Sequence, residues 1–234
     1  MRPQVAAAAT IRKPLAAPSL PTADVVDFRG YFRVETFASG QVIYREGVPA
    51  EKLYMLRSGR VRLVDGKGRR RQVHAILRPG DFFGEVLRAE GAASEETAVS
   101  IGKCEVWSIE ARDFRTLLEG RPALAVDVIR TLGTRVRELG RRVRALTRKD
   151  VPARLAETLL TLWQQLGEFE GEELCLHGVT QQDLADLVGA SRSFVSTLIN
   201  EMKREGLIEA RGRILVLKDE AGLTARSNAA PAKA

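Results

Sequence analysis

The chain has little of what most specialised chemistry needs. Its 234 residues include two cysteines, Cys104 and Cys175, and two histidines, His74 and His177. Two thiols far apart in sequence make no disulfide framework and follow no metal-ligand spacing, so reduced thiols in the cytoplasm are the expectation. The histidines stand singly, so no haem or metal site is expected. No apolar run approaches the roughly 18–20 residues of a membrane span, which argues against an integral membrane protein. "DGKGRRRQ", residues 65–72, lacks both the glycine spacing and the Ser/Thr of a P-loop. With no nucleophile–base set either, an enzyme is not expected. Acid is also in deficit: the net charge is +7 and the pI about 9.8, which favours a polyanionic partner.

What is present is globular. Hydrophobic residues make up 44% and charged residues 29%, ordinary for a soluble chain with room for two modest domains. Residues 1–23 have a basic start and alanines but no strongly apolar stretch, so they read as a disordered Ala/Pro-rich tail, as do residues 221–234. From residue 24 to about 115 the pattern is β, within a domain drawn at 24–121. "SGQVIYREG", "EKLYMLRSGRVRLV", "RQVHAILRPGDFFGEV" and "SIGKCEVWSIE" alternate between apolar and polar. Glycines between them, Gly59 and Gly84 included, delimit strands of four to eight residues, which predicts a small barrel or jelly roll.

Residues 122–149 then switch to helical spacing. Ala125, Ile129, Leu132, Val136, Leu139, Val143 and Leu146 recur at alternating intervals of four and three, a heptad repeat. β-branched Ile129, Val136 and Val143 at a, with leucines at d, favour a parallel two-stranded seam. A helix packed on its own sheet has nearly the same spacing and is the alternative. Gly133 and Gly140 fall beside the seam, where a sheet surface or a ligand could approach the backbone.

A second domain is drawn at 150–220. Arg154–Leu166 reads as an amphipathic helix with Leu155, Leu159, Leu160 and Trp163 inward, and 167–178 as a loop or short strand. "TQQDLADLVGASRSFVSTLINEMKREGLI" follows. Thr180 and Asp183 make a capping-box-like start, Gly189 supplies a left-handed turn, and Ser191 caps a second helix. Val195, Leu198, Ile199 and Met202 form its apolar stripe. Arg192, Ser193, Ser196, Thr197, Asn200 and Arg204 face the other way. This is the layout of a DNA recognition helix. "LIEARGRILVLKD" reads as a hairpin whose Arg211 and Arg213 are placed to touch phosphates. A three-helix packing unit with a solvated polar face is the bland alternative.

Through "LRSGRVRLV", "LRPGDFFGEV", the long helix, "DVPARLAETLL" and the helix–turn–helix stretch, residues 24 to about 220 resemble the CRP/FNR family of bacterial transcription regulators. The resemblance implies an α+β fold: an N-terminal cyclic-nucleotide-binding-like β-roll (jelly roll), a long dimerisation helix and a C-terminal winged helix–turn–helix. It also implies a homodimer on a palindromic site in double-stranded DNA, in contact with RNA polymerase. By position, Thr180 and Gln181 fall on phosphate contacts, and Arg192, Ser193, Ser196 and Thr197 on base-reading positions. Ser193 stands where the family usually has glutamate, and Thr197 where arginine is common, so a different half-site is expected.

The effector pocket departs further. Gly84 and Glu85 match the family's ribose-binding pair, and Thr97 matches its hydroxyl. Glu96 stands at the phosphate-binding arginine, if one extra loop residue is allowed. Leu139 and Gly140 replace the hydroxyl pair that touches adenine. Glu95 and Glu96 would repel a phosphate, so cAMP is not expected; another nucleotide effector, or none, is. The absence of an N-terminal cysteine set argues against an iron–sulfur sensor. A cyclic-nucleotide receptor acting on a protein partner is the remaining competing class.

Overall fold

The structure, a computed structural model, describes residues 30–49, 51–66, 72–84 and 93–229. They fall into two compact units, one running through Arg144 and one beginning at Ala145. Residues 1–23, Glu85, most of the 65–72 tip and residues 230–234 lie outside the described residues.

In the first unit the alternating segments form β1 (Arg33–Phe37), β2 (Val42–Tyr44), β3 (Lys52–Asp65), β4 (Gln72–Leu77), β5 (Phe82–Phe83) and β6 (Thr97–Glu110). They pair antiparallel in the order β1-β6-β3-β4, with β2 on β6 and β5 on β3. β3 and β6 are each 14 residues long, beyond the expected four to eight. Gly59 does not end a strand. It sits inside β3 at φ 80°, and the register against β6 shifts on both sides of Ser58, so the strand bulges and continues. Leu56, Val61, Phe83, Ala98 and Val106 form one buried cluster, and Leu53, Met55, Trp107 and Ile109 belong to another.

The β pattern stops at Glu110, not near 115. Residues Ala111–Gly120 form helix α1, because Phe114 and Leu117 lie three apart and bury one helical face against the second cluster. Helix α2 (Pro122–Arg148) is 27 residues long. Leu124 is buried in the same cluster and Val128 packs against it.

The second unit contains α3 (Val151–Leu166), β7 (Glu168–Glu170), β8 (Glu173–His177), α4 (Gln181–Val188), α5 (Arg192–Arg204), β9 (Ile208–Arg211), β10 (Ile214–Leu217) and α6 (Glu220–Ser227). Asp150 caps α3, accepting from the Ala153 amide at 3.0 Å. Leu155, Leu159 and Trp163 are buried as expected, whereas Leu160 is only half-buried. Residues 221–234 are not wholly a tail, since α6 occupies 220–227. Asp219 caps it by accepting from Gly222, and Leu223 is fully buried, with α6 lying against α3. One buried leucine among small and polar residues gave α6 no amphipathic signature.

The strands of this unit form an antiparallel sheet ordered β7-β8-β10-β9. Its register puts Phe169, Leu174, Leu217 and Ile208 on one face, and β8 packs against α3. The other face carries Glu168, Cys175, Val216 and Glu209 in one row, with Glu170, Glu173, His177 and Arg211 beside it. His177 and Cys175 therefore do not stand apart: their ligand atoms and that of Glu170 lie within 4.8 Å of one another.

Candidate nucleic-acid interface

Local chemistry builds the helix pair. The Thr180 hydroxyl accepts from the Asp183 amide at 3.1 Å, and the Asp183 carboxylate accepts from the Thr180 amide at 2.8 Å. This reciprocal capping box fixes where α4 starts. Gly189, at φ 65°, ends it in the left-handed conformation. Arg154 of α3 donates to the carbonyls of Val188 and Lys149, at 3.0 and 2.8 Å, satisfying an oxygen at the end of α4.

Helix α5 begins at Ser191, whose hydroxyl accepts from the Phe194 amide at 3.2 Å. Val195, Leu198, Ile199 and Met202 are all buried. The opposite face is solvent-facing: Arg192, Ser193, Thr197 and Asn200 are exposed and Ser196 half-buried. Thr180 is also exposed, and Gln181 half-buried. Thr197 donates back to the Ser193 carbonyl at 3.2 Å, so it presents its methyl and an acceptor oxygen outward. Phe194, absent from the expected reading face, is 45% exposed on the flank between that face and the buried stripe. The signal was available: Phe194 falls outside the 195-198-199-202 stripe.

The β9–β10 hairpin forms the wing, with Arg211, Gly212 and Arg213 at its tip. The two arginines are not alike. Arg211 donates to Glu173 and Glu209, while Arg213 is exposed with no partner among the described residues. Lys218 also binds Glu173 and Glu209, at 2.5 and 3.1 Å. Arg211 holds Glu173 down at about 2. Of the two predicted phosphate contacts, only Arg213 has an uncommitted guanidinium.

On α2, Ile129, Leu132, Val136, Leu139 and Val143 are all exposed, with Ile129 and Val136 at 66% and 67%. The side chain of Leu146 lies outside the described residues. Among the described residues, a Cβ built on Gly133 or Gly140 would meet only Arg137 or Arg144 of the same helix.

A cyclic nucleotide-binding domain model matches residues 34–121, and a Crp-like helix-turn-helix domain model matches residues 153–226. A CRP-like cAMP-activated global transcriptional regulator of Mycobacterium tuberculosis is 31% identical over 82% of this chain and 86% of its own length. The chain belongs to the CRP/FNR family of transcription regulators. Among solved structures, a CRP/FNR-family transcriptional regulator from Thermus thermophilus has a TM-score of 0.72 at 26% identity, covering 85% of this chain and all of the other. The c-di-GMP responsive global regulator CLP from Xanthomonas campestris has a TM-score of 0.69 at 25% identity, covering 84% and 98%. Membership makes the chain a transcription regulator with a DNA-binding helix–turn–helix, in a family of regulators rather than enzymes. Among the described residues, no helix is long and apolar enough to cross a membrane.

At the expected effector position the β-roll holds an internal network. Tyr44 donates its hydroxyl to Glu96 at 2.5 Å, and His74 Nε2 lies 2.9 Å from the other Glu96 oxygen. Thr97 accepts from the Glu46 amide at 3.0 Å. Tyr44, Tyr54 and Phe83 stack with centroids 5.2–6.1 Å apart. Gly84 follows this stack, where a Cβ would come 2.8 Å from the Lys52 carbonyl. Its lack of a side chain is thus explained by this close approach together with a φ of 93°, which disfavours any side chain.

Proposed function

We propose that the protein is a cytoplasmic homodimer that reads a palindromic promoter site and works with RNA polymerase. The observation that carries the reading is the exposed row on α5, Arg192, Ser193, Phe194, Thr197 and Asn200, with its apolar stripe wholly buried. Arg192 is the long cation of the row and suits a bidentate contact with guanine. Phe194 and the Thr197 methyl suit thymine methyl groups. Thr180, Gln181, Ser191 and Arg213 are placed for phosphates, with Ser196 between reading positions.

The exposed seam on α2 supports pairing with a second copy. Leaving a Val, Leu or Ile in water forgoes roughly 1.5–3 kcal/mol each. A twofold dimer places its reading helices about 34 Å apart, one turn of DNA. Footprinting of selected sites tests this: symmetric protection of two half-sites is expected, and a single unrepeated half-site would count against it.

The effector is not cAMP. With one extra loop residue allowed, Glu96 aligns with the family's phosphate-binding arginine, and Tyr44 and His74 hold its carboxylate, so an anionic cyclic phosphate would meet a carboxylate instead of a guanidinium. Leu139 and Gly140 offer adenine no side-chain hydrogen bond. Glu85 lies outside the described residues. Thermal-shift titration with cAMP, c-di-GMP and other nucleotides tests the reading. No shift with cAMP is expected, and a large one overturns it.

A further inference from the structure

The outer face of the second unit's sheet carries a group of side chains that DNA reading does not use. Cys175 and His177 lie two apart on β8 and so project from one face. Glu170 of β7 joins them diagonally across the strand pair. We infer that Glu170, Cys175 and His177 form a binding site for a borderline divalent cation of the Zn2+ or Co2+ type.

The donor set fits that class. A thiolate, an imidazole and a carboxylate are together the ligands of zinc-like ions, while magnesium and calcium take oxygen alone. The spacing fits too. A tetrahedral site with bonds of about 2.0–2.3 Å separates its donor atoms by roughly 3.5 Å. Here all three lie within 4.8 Å of one another, and His177 Nε2 is 3.0 Å from Glu170 Oε1. Closing on a cation needs side-chain rotation of about an ångström.

Burial and charge agree. Cys175 is fully buried, so it forms the floor of the site, while the Glu170 side chain is 55% exposed and leaves an entry path. Glu173 and Glu209 are matched by Arg211 and Lys218, two charges against two. That network sums to zero, and Glu168, opposite Cys175 on β7, adds a further negative charge that favours a cation beside the triad. A neutral imidazole, a carboxylate and a thiolate carry two negative charges, matching a dication once the thiol has released its proton to solvent. Three protein ligands leave a fourth position for water. A simple His–Glu pair beside an inert thiol is the competing interpretation, and it predicts no cation affinity.

The test uses the full-length protein, stripped with a chelator and titrated with Co2+. One equivalent per chain is expected, with a thiolate-to-cobalt charge-transfer band that Zn2+ abolishes by displacement. The band is expected to disappear in Cys175→Ser and to persist in Cys104→Ala. Glu170→Gln, at an exposed position that does not threaten folding, is expected to weaken cobalt binding at least about tenfold. Absence of stoichiometric binding overturns the site, as does a band that survives Cys175→Ser or affinity unchanged in Glu170→Gln.

Discussion

Arg211 holds Glu173 in a forked pair, with Nη1 2.5 Å from one carboxylate oxygen and Nη2 3.0 Å from the other. Its Nε also reaches Glu209 at 2.6 Å. A guanidinium so engaged must break these bonds before it can serve a phosphate, and its neighbour Arg213 need not. Arg213→Ala is therefore expected to reduce the slope of log affinity against log salt by about 1, and Arg211→Ala by less. Salt titrations of DNA binding by both variants decide it; equal losses would show that the wing opens on DNA.

The same pair fixes an acid response. The Glu173 carboxyl is lowered from 4.5 to about 2 by its hydrogen bonds to Arg211 and then Lys218, and Glu209 is lowered by the same two partners. A depressed carboxyl contributes stability above its unfolded value, and that contribution is lost as pH falls from 4.5 through about 2. Chelator-treated wild type should lose thermal stability over this window more than Glu173→Gln does. The groups are exposed, so the difference is modest and shrinks at high salt. Parallel profiles for the two proteins would refute the assignment.

On the reading helix, Arg192→Ala is expected to cost roughly 1–3 kcal/mol of sequence-specific affinity and to relax discrimination at one base pair. Phe194→Ala is expected to cost roughly 1 kcal/mol, about half the burial value of a whole phenylalanine, at sites with a thymine opposite it. Competition binding with uracil in place of that thymine separates a methyl contact from a general packing effect. Undiminished discrimination in Arg192→Ala would remove this residue from the reading face.

Val136→Glu puts a charge on an exposed seam position, so the β-roll and the second unit should keep their stability while self-association drops. Sedimentation is expected to show a dimer for the wild type and a monomer for the variant, with at least a roughly tenfold loss in affinity for a two-half-site operator. A variant that stays dimeric would place the interface elsewhere.

The parts legible in the sequence were those written locally. The capping box at Thr180 and Asp183, the turn at Gly189 and the heptad on α2 depend on spacings of a few residues. What escaped depends on pairing across the chain. Neither Tyr44 nor His74 points by itself to Glu96, because the three meet only when β2, β4 and the start of β6 come together. Cys175 and His177 gain Glu170 only through the β7–β8 register. Arg211 looked available for phosphates because its carboxylates come from β8 and from two residues back on β9. Helices α1 and α6 were missed for a different reason: each is short, with only one or two side chains to mark its buried face.

Arg154 reaches two carbonyls at once, one where the chain leaves α2 at Lys149 and one where α4 ends at Val188. In mechanical terms this side chain acts as a cross-brace. The residue through which the chain approaches α3 and the end of the helix preceding the reading head are tied to one rigid fork. Removing this one guanidinium would free both carbonyls at once.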